Sequence, residues 1–291
     1  MITDNYNCIL DLGNYFPGSY KRLTYNLFTF NGGEPHFSLE TSAKWRLNEY
    51  RGTILITCRA TSFNELGNLL VAVDGIRRMN VKYDLFIPYF PGARQDRVSN
   101  TSEPLTVKVY ADIINSLNAE RVLVADPHSD VVAALVNNIV ILPQYYFLSQ
   151  YIKAAEIKNP YLVAPDAGAE KKTYAAAKSL GISDVITCSK IRDTATGEIE
   201  RLNIHLPESL NIFRPILISD DICDGGATFI SLAKRLRELN ITNNLYLFVT
   251  HGIFSKGTEE LFQYYTGIGC TDSFSNLDGR VNIVSLERTV L

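Results

Sequence analysis

The sequence predicts a parallel α/β protein of two similar domains, each a mainly parallel sheet flanked by helices. Three observations carry that expectation. Apolar runs of strand length alternate with segments of helical period over most of the 291 residues, as in strand–helix–strand units. In each half one apolar run empties into acidic residues, at Asp126 and at Asp220-Asp221, and open α/β sheets bind ligands outside the carboxyl ends of their strands. A hydrophobic content of 46% over this length is enough for two ordinary cores.

In chain order, Thr53 to Cys58, Asp84 to Pro88 and Arg121 to Ala125 are apolar runs that read as strands. Helical segments near Ser62 to Met79 and Leu105 to Leu117 separate them. The second half repeats the scheme with strands at Tyr161 to Ala164, Asp184 to Cys188, Ile216 to Ser219, Leu245 to Thr250 and Val281 to Val284, and an amphipathic helix over Phe229 to Leu239. The domain boundary is expected near Pro143, giving domains over 1–143 and 144–291; no flexible linker marks it.

The net charge of −3 and pI near 5.9 supply no basic field, so a nucleic-acid partner is not expected. Met1 to Leu12 lacks the basic start and apolar core of a signal peptide, and no apolar run approaches a membrane span. A soluble, cytoplasmic protein with no membrane partner is expected. The five cysteines are widely separated, without metal-ligand spacing, and read as reduced and mostly buried. Cys223 is the exception: its place in a loop suggests enough exposure to react.

That loop is the most informative stretch. Arg214 to Ser219 is a strand-type run ending in Asp220 and Asp221, followed by Asp224-Gly225-Gly226-Ala227-Thr228 and the helix. A helix N-terminus offers unpaired N–H groups and the positive dipole end to an anion, and the glycines let the backbone close around a phosphate. Asp220 and Asp221 are placed to accept hydrogen bonds from sugar hydroxyls. No P-loop lysine follows the glycines, so a sugar phosphate fits better than a nucleoside triphosphate. Taken alone, Asp-x-x-Asp-Gly-Gly is as readily an ordinary turn feeding a helix.

The segment resembles the phosphoribosyl-diphosphate (PRPP) loop of type I phosphoribosyltransferases and PRPP synthetases, and four further stretches select the synthetases. Ile87 to Arg97 resembles that family's nucleotide signature, Ala125 to Asp130 its catalytic-histidine segment, and Pro165 to Lys172 and His251 to Ser255 match in order and spacing. The resemblance implies two domains of phosphoribosyltransferase type with the active site between them. It also implies Mg²⁺ as cofactor, ATP and ribose 5-phosphate as ligands, and a homo-oligomer; since the chain stops soon after Val281 to Val284, at least a dimer is expected.

The resemblance further implies roles for single residues. Arg94, Gln95, Asp96 and His128 would hold ATP. Phe30 and Glu34, in Phe30-Asn31-Gly32-Gly33-Glu34, would line the adenine site of a neighbouring subunit, with Gly32 standing where the family has aspartate. Asp220, Asp221, Asp224, Gly225, Gly226, Ala227 and Thr228 would bind ribose 5-phosphate. His128 and Asp166 would hold the metal, whose oxygen ligands and substrate phosphates suit Mg²⁺. Lys190 and Arg192, opening the polar segment Lys190 to Glu200, would be catalytic together with His128, closing over the reacting phosphates as a hairpin or flap. His251 reads equally as a structural histidine. Asn100 and Ser102 stand where the family commonly has arginines that bind regulatory anions, so weak phosphate activation is expected.

The function that follows is a ribose-phosphate diphosphokinase, making PRPP and AMP. A non-catalytic relative of the synthetases and a phosphoribosyltransferase are the alternatives. The nucleotide signature at Arg94 to Arg97 argues against the second.

Overall fold

The computed structural model describes residues 6–50, 52–192, 199–274 and 279–287, and only the backbone of 190–192 and 199–201. The chain divides into two compact units, Met1–Leu142 with Ser285–Leu291, and Pro143–Val284.

The first unit is built on a five-stranded parallel sheet with the order β1 (Ile9–Asp11), β4 (Ile54–Thr57), β5 (Tyr83–Phe86), β6 (Val122–Ala125) and β7 (Ile139–Leu142). Helices α2 (Phe63–Arg77), α3 (Thr106–Ser116) and α4 (Asp130–Leu135) connect β4 to β7 in turn. Every residue of β4, β5 and β6 is buried, which explains why these strands are continuous apolar runs rather than alternating ones. Ser62 starts α2 through a capping box: its hydroxyl accepts from the Glu65 N–H at 3.3 Å, and the Glu65 carboxylate accepts from the Ser62 N–H at 3.1 Å.

Between β1 and β4 the chain forms a two-stranded antiparallel ribbon, β2 (Tyr25–Thr29) with β3 (Pro35–Leu39), and then α1 (Thr41–Glu49). The sequence reading had not assigned this ribbon. Its outer residues are half-exposed, so the alternating signal of a half-buried strand is weak.

The second unit carries a seven-stranded sheet with the order β10 (Ile199–His205), β9 (Val185–Arg192), β8 (Tyr161–Ala164), β11 (Ile216–Cys223), β12 (Leu245–Gly252), β13 (Gly267–Thr271) and β14 (Asn282–Val284). All pairs are parallel except the β9–β10 hairpin. Its helices are α5 (Gln144–Ala154), α6 (Glu170–Leu180) and α7 (Ala227–Glu238). The core lies between β8, β11 and β12 and the buried face of α7, where Phe229, Leu232, Ala233 and Leu236 are within 3% of full burial. The hairpin expected over Lys190 to Glu200 is present as β9 and β10; its Thr196-Gly197 turn lies outside the described residues.

Candidate active site

The carboxyl end of β11 departs from the sequence expectation. The apolar run Ile216 to Ser219 is fully buried, yet the strand does not stop there. It continues through Asp220, Asp221 and Ile222 to Cys223, paired with β12 as far as Cys223↔Gly252. The two carboxylates therefore belong to the sheet and not to the loop beyond it. Asp221 is 6% exposed. Backbone N–H groups hold both: Asp221 N–H donates to Asp220 Oδ1 at 2.9 Å, and Ile222 N–H to Asp221 Oδ1 at 3.0 Å.

Asp166 comes from the loop after β8, where its Oδ1 accepts from the Ala169 N–H at 3.2 Å at the foot of α6. Lys172, on α6, brings its ammonium within 4.0 Å of Asp221 Oδ2. The Asp220 carboxyl titrates well above the usual carboxylate range. Burial is the main cause, and the charges of Asp221 and Asp166 add to it. Such a gathering of desolvated carboxylates is suited to accepting hydroxyl donors or to facing a cation. Among the described residues no group of three or more His, Cys, Asp or Glu side chains is arranged to hold a metal ion alone. Mg²⁺ keeps several waters and takes substrate phosphates as ligands, so it does not require a closed protein cage.

After Cys223 the chain turns tightly into α7. Gly226 precedes the helix at φ 79°, a left-handed conformation that glycine adopts without strain, and the Ile230 N–H closes the first turn on its carbonyl at 3.0 Å. No side chain caps the helix, so the first N–H groups of α7, from Ala227 on, are its orphan donors and stand at its positive dipole end. The segment after β12 folds over the loop. Ile253 and Phe254 donate their N–H groups to the Cys223 carbonyl, Ser255 Oγ donates to Asp224 Oδ1 at 2.5 Å, and the Lys256 stem passes beside Gly225, 3.4 Å from where a Cβ would stand. Lys256 was missed by the sequence reading. Its only signal is that it follows the His251 to Ser255 motif.

Cys223 is fully buried, and burial, aided by the charges of Asp220 and Asp224, pushes its thiol up to about 12. It is not an exposed reactive thiol, because it lies in β11 with its side chain in the core. All five cysteines are free and buried. His251 is 2% exposed, and its Nδ1 lies 2.8 Å from Ser273 Oγ, a structural arrangement.

In the first unit, Arg94 and Gln95 are exposed on a turn after β5 in which the Gln95 N–H closes on the Gly92 carbonyl at 2.9 Å. Asp96 follows, half-buried. Asp126, buried after β6, bends the chain at φ 38°, and His128 is exposed just before Ser129 caps α4. Arg94, Gln95 and Asp96 thus follow β5, and His128 follows β6, the strand paired with it. Phe30 and Glu34 stand apart, on the β2–β3 turn. Phe30 is 52% exposed and packs edge-on against Phe28 and His36. Lys190 and Arg192 end β9, and their side chains lie outside the described residues.

Over 256 residues the chain is 30% identical to the ribose-phosphate pyrophosphokinase of Haemophilus ducreyi, aligning 84% of itself with 78% of that protein. The chain belongs to the ribose-phosphate pyrophosphokinase family. The family member of Mycoplasma pneumoniae is 31% identical over 253 residues, covering 86% of this chain and 74% of that protein. With the one from Vibrio cholerae the identity is 32% over 210 residues, a stretch that covers 68% of this chain and 62% of that relative. No protein-family model matches the chain. In fold it resembles a crystal structure of phosphoribosylpyrophosphate synthetase from Mycobacterium smegmatis, with a TM-score of 0.78 at 18% identity over 97% of this chain and 95% of that one.

Proposed function

We propose that the chain transfers the β,γ-diphosphoryl group of ATP to the anomeric hydroxyl of ribose 5-phosphate, giving PRPP and AMP. The observation that carries this reading is the end of β11. There a glycine turn at a helix N-terminus, suited to phosphate, lies directly beyond two strand-held carboxylates suited to sugar hydroxyls.

The 5-phosphate would sit on Asp224 to Thr228, with Lys256 near it, and the hydroxyls on Asp220 and Asp221. Arg94, Gln95, Asp96 and His128 would bind the nucleotide, Arg94 through its planar donor fork. Phe30 and Glu34 would contribute to the adenine site of a second copy of the chain, so the working form is a homo-oligomer of at least two. His128 and Asp166 would hold Mg²⁺, which supplies charge neutralisation on the phosphates. The anomeric oxygen forms a bond to the β-phosphorus as the bond between that phosphorus and the α,β-bridging oxygen breaks. The hydroxyl proton passes to bulk water, and AMP leaves carrying the bridging oxygen. Lys190 and Arg192 would stabilise charge on the transferred group and leaving oxygen.

No described helix is long and apolar enough to cross a membrane, and the free cysteines suit a reducing compartment. We therefore assign the activity to the cytoplasm. Activation by inorganic phosphate would be weak or absent, and ADP would inhibit only by competition at the ATP site. Asn100 and Ser99 turn their N–H groups onto the Glu103 carboxylate, at 3.1 and 3.2 Å, so an acid occupies the centre of that loop. Release of AMP from ATP that depends on ribose 5-phosphate tests the activity, and none is released by a purely regulatory relative.

A further inference from the structure

Gln144 is a polar side chain in an apolar place. It opens α5, is 5% exposed, and shares that helix with the buried Phe147, Leu148 and Tyr151. A buried carboxamide needs partners. Its Nε2 donates at 2.6 Å to the backbone carbonyl of Asp220, 76 positions along the chain.

That carbonyl belongs to the peptide group joining Asp220 to Asp221. The N–H of the same group is the donor that holds Asp220 Oδ1 at 2.9 Å. A peptide group is planar and turns as one plate. The Gln144 amide grips one side of the plate and the Asp220 carboxylate is held by the other, so fixing its tilt aims the carboxylate. A hydrogen bond to the carbonyl also polarises the group and strengthens its N–H as a donor. The grip falls beyond Ile218↔Val163, the last register pair between β11 and β8, where β11 continues with β12 alone as its strand partner.

We infer that Gln144 is a positioning residue for ribose 5-phosphate, orienting the Asp220 carboxylate through the Asp220–Asp221 peptide group without touching the sugar. The inference rests on the assignment of Asp220 to the sugar hydroxyls made above.

Two variants test it in the full-length protein. Gln144→Leu removes the donor at nearly constant volume. Gln144→Glu keeps shape and size while placing an acceptor against the carbonyl, so the test does not depend on the leucine variant folding. Steady-state kinetics with both substrates, calorimetric titration with ribose 5-phosphate, and thermal melting are measured on each. The expected result is a KM and Kd for ribose 5-phosphate raised about tenfold in Gln144→Leu and further in Gln144→Glu, with KM for ATP unchanged. A merely structural glutamine would lower Tm and raise both KM values together, which overturns the inference. Wild-type binding of ribose 5-phosphate with the same affinity in both variants also overturns it, and leaves the sugar site standing. Wild-type protein that does not bind ribose 5-phosphate overturns the sugar assignment itself, and this inference with it.

Discussion

In the first unit, β4, β5 and β6 end after four residues each and hand the chemistry to loops, so Arg94, Gln95 and His128 face solvent. In the second, β11 runs for eight residues and carries Asp220 and Asp221 inside the sheet, gripped by backbone N–H groups and by Gln144. The same parallel architecture thus yields a loop-borne set of residues, proposed for the nucleotide, and a strand-borne set, proposed for the sugar. Exposed loop groups give up their hydration only when a ligand arrives. Strand groups are ordered in advance, and the protein bears the desolvation, visible as the raised titration of Asp220.

The largest effect should come from the residues that belong to neither class, the pair at the end of β9. If Lys190 and Arg192 act on charge that develops in the transition state, as proposed, Lys190→Ala and Arg192→Ala lower kcat by about two to four decades with much smaller changes in KM. Near-normal kcat in both variants would remove them from the mechanism and leave the two substrate edges to do the catalysis.

Next in size is the division of labour itself. Asp220→Asn and Asp221→Asn should each weaken ribose 5-phosphate binding by about 1.5–3 kcal/mol, roughly ten- to a hundredfold, with ATP binding nearly intact. Arg94→Ala should do the reverse. Separate calorimetric titrations decide this, and equal losses for both ligands in any of the three would dissolve the distinction.

Pre-ordering also leaves a mark on stability. The folded-state pKa of Asp220 is raised, so the native state binds more protons there than the unfolded chain. Its stabilising contribution is complete below the unfolded pKa and is lost as pH rises through the folded one. Without ligand, Asp220→Asn should therefore melt higher than the wild type at neutral pH while binding the sugar more weakly. Melting curves from pH 4 to pH 8 test the sign; a variant that melts lower throughout would show that the carboxylate is not strained in its site. Gly226→Ala should act oppositely. It forces a side chain into φ 79° and destabilises by about 1–2 kcal/mol, readable as a Tm lower by a few degrees.

The smallest expected effect is none. Burial pushes the Cys58 and Cys223 thiols up to about 12, so both stay protonated at neutral pH, and a thiol-disulfide reagent should modify them only on unfolding. Rapid reaction of Cys223 in the native protein would mean that the end of β11 opens readily.

These contrasts were unevenly legible in the sequence. Fully buried strands such as Ile54–Thr57 and Val122–Ala125 announce themselves as apolar runs, and Gly225-Gly226 marks the turn before α7. The extension of β11 was hidden, because two aspartates interrupt the apolar pattern, and the pairing with β12 that keeps them in the strand is non-local. For the same reason Cys223 reads as a loop thiol. The β2–β3 ribbon and the glycine-spaced β13 have too little periodicity to be seen. Gln144 has no sequence signature at all, since its partner is a backbone carbonyl 76 positions away. The identity of the loop motifs, by contrast, comes from resemblance and not from periodicity.

The chain is proposed to join a diphosphate from ATP to ribose 5-phosphate held at the end of β11. Purified protein incubated with ATP, Mg²⁺ and ribose 5-phosphate, with no nucleobase, should yield AMP and PRPP in equal amounts, identified by mass. Unchanged substrates, or consumption of added PRPP only when a nucleobase is supplied, would contradict it.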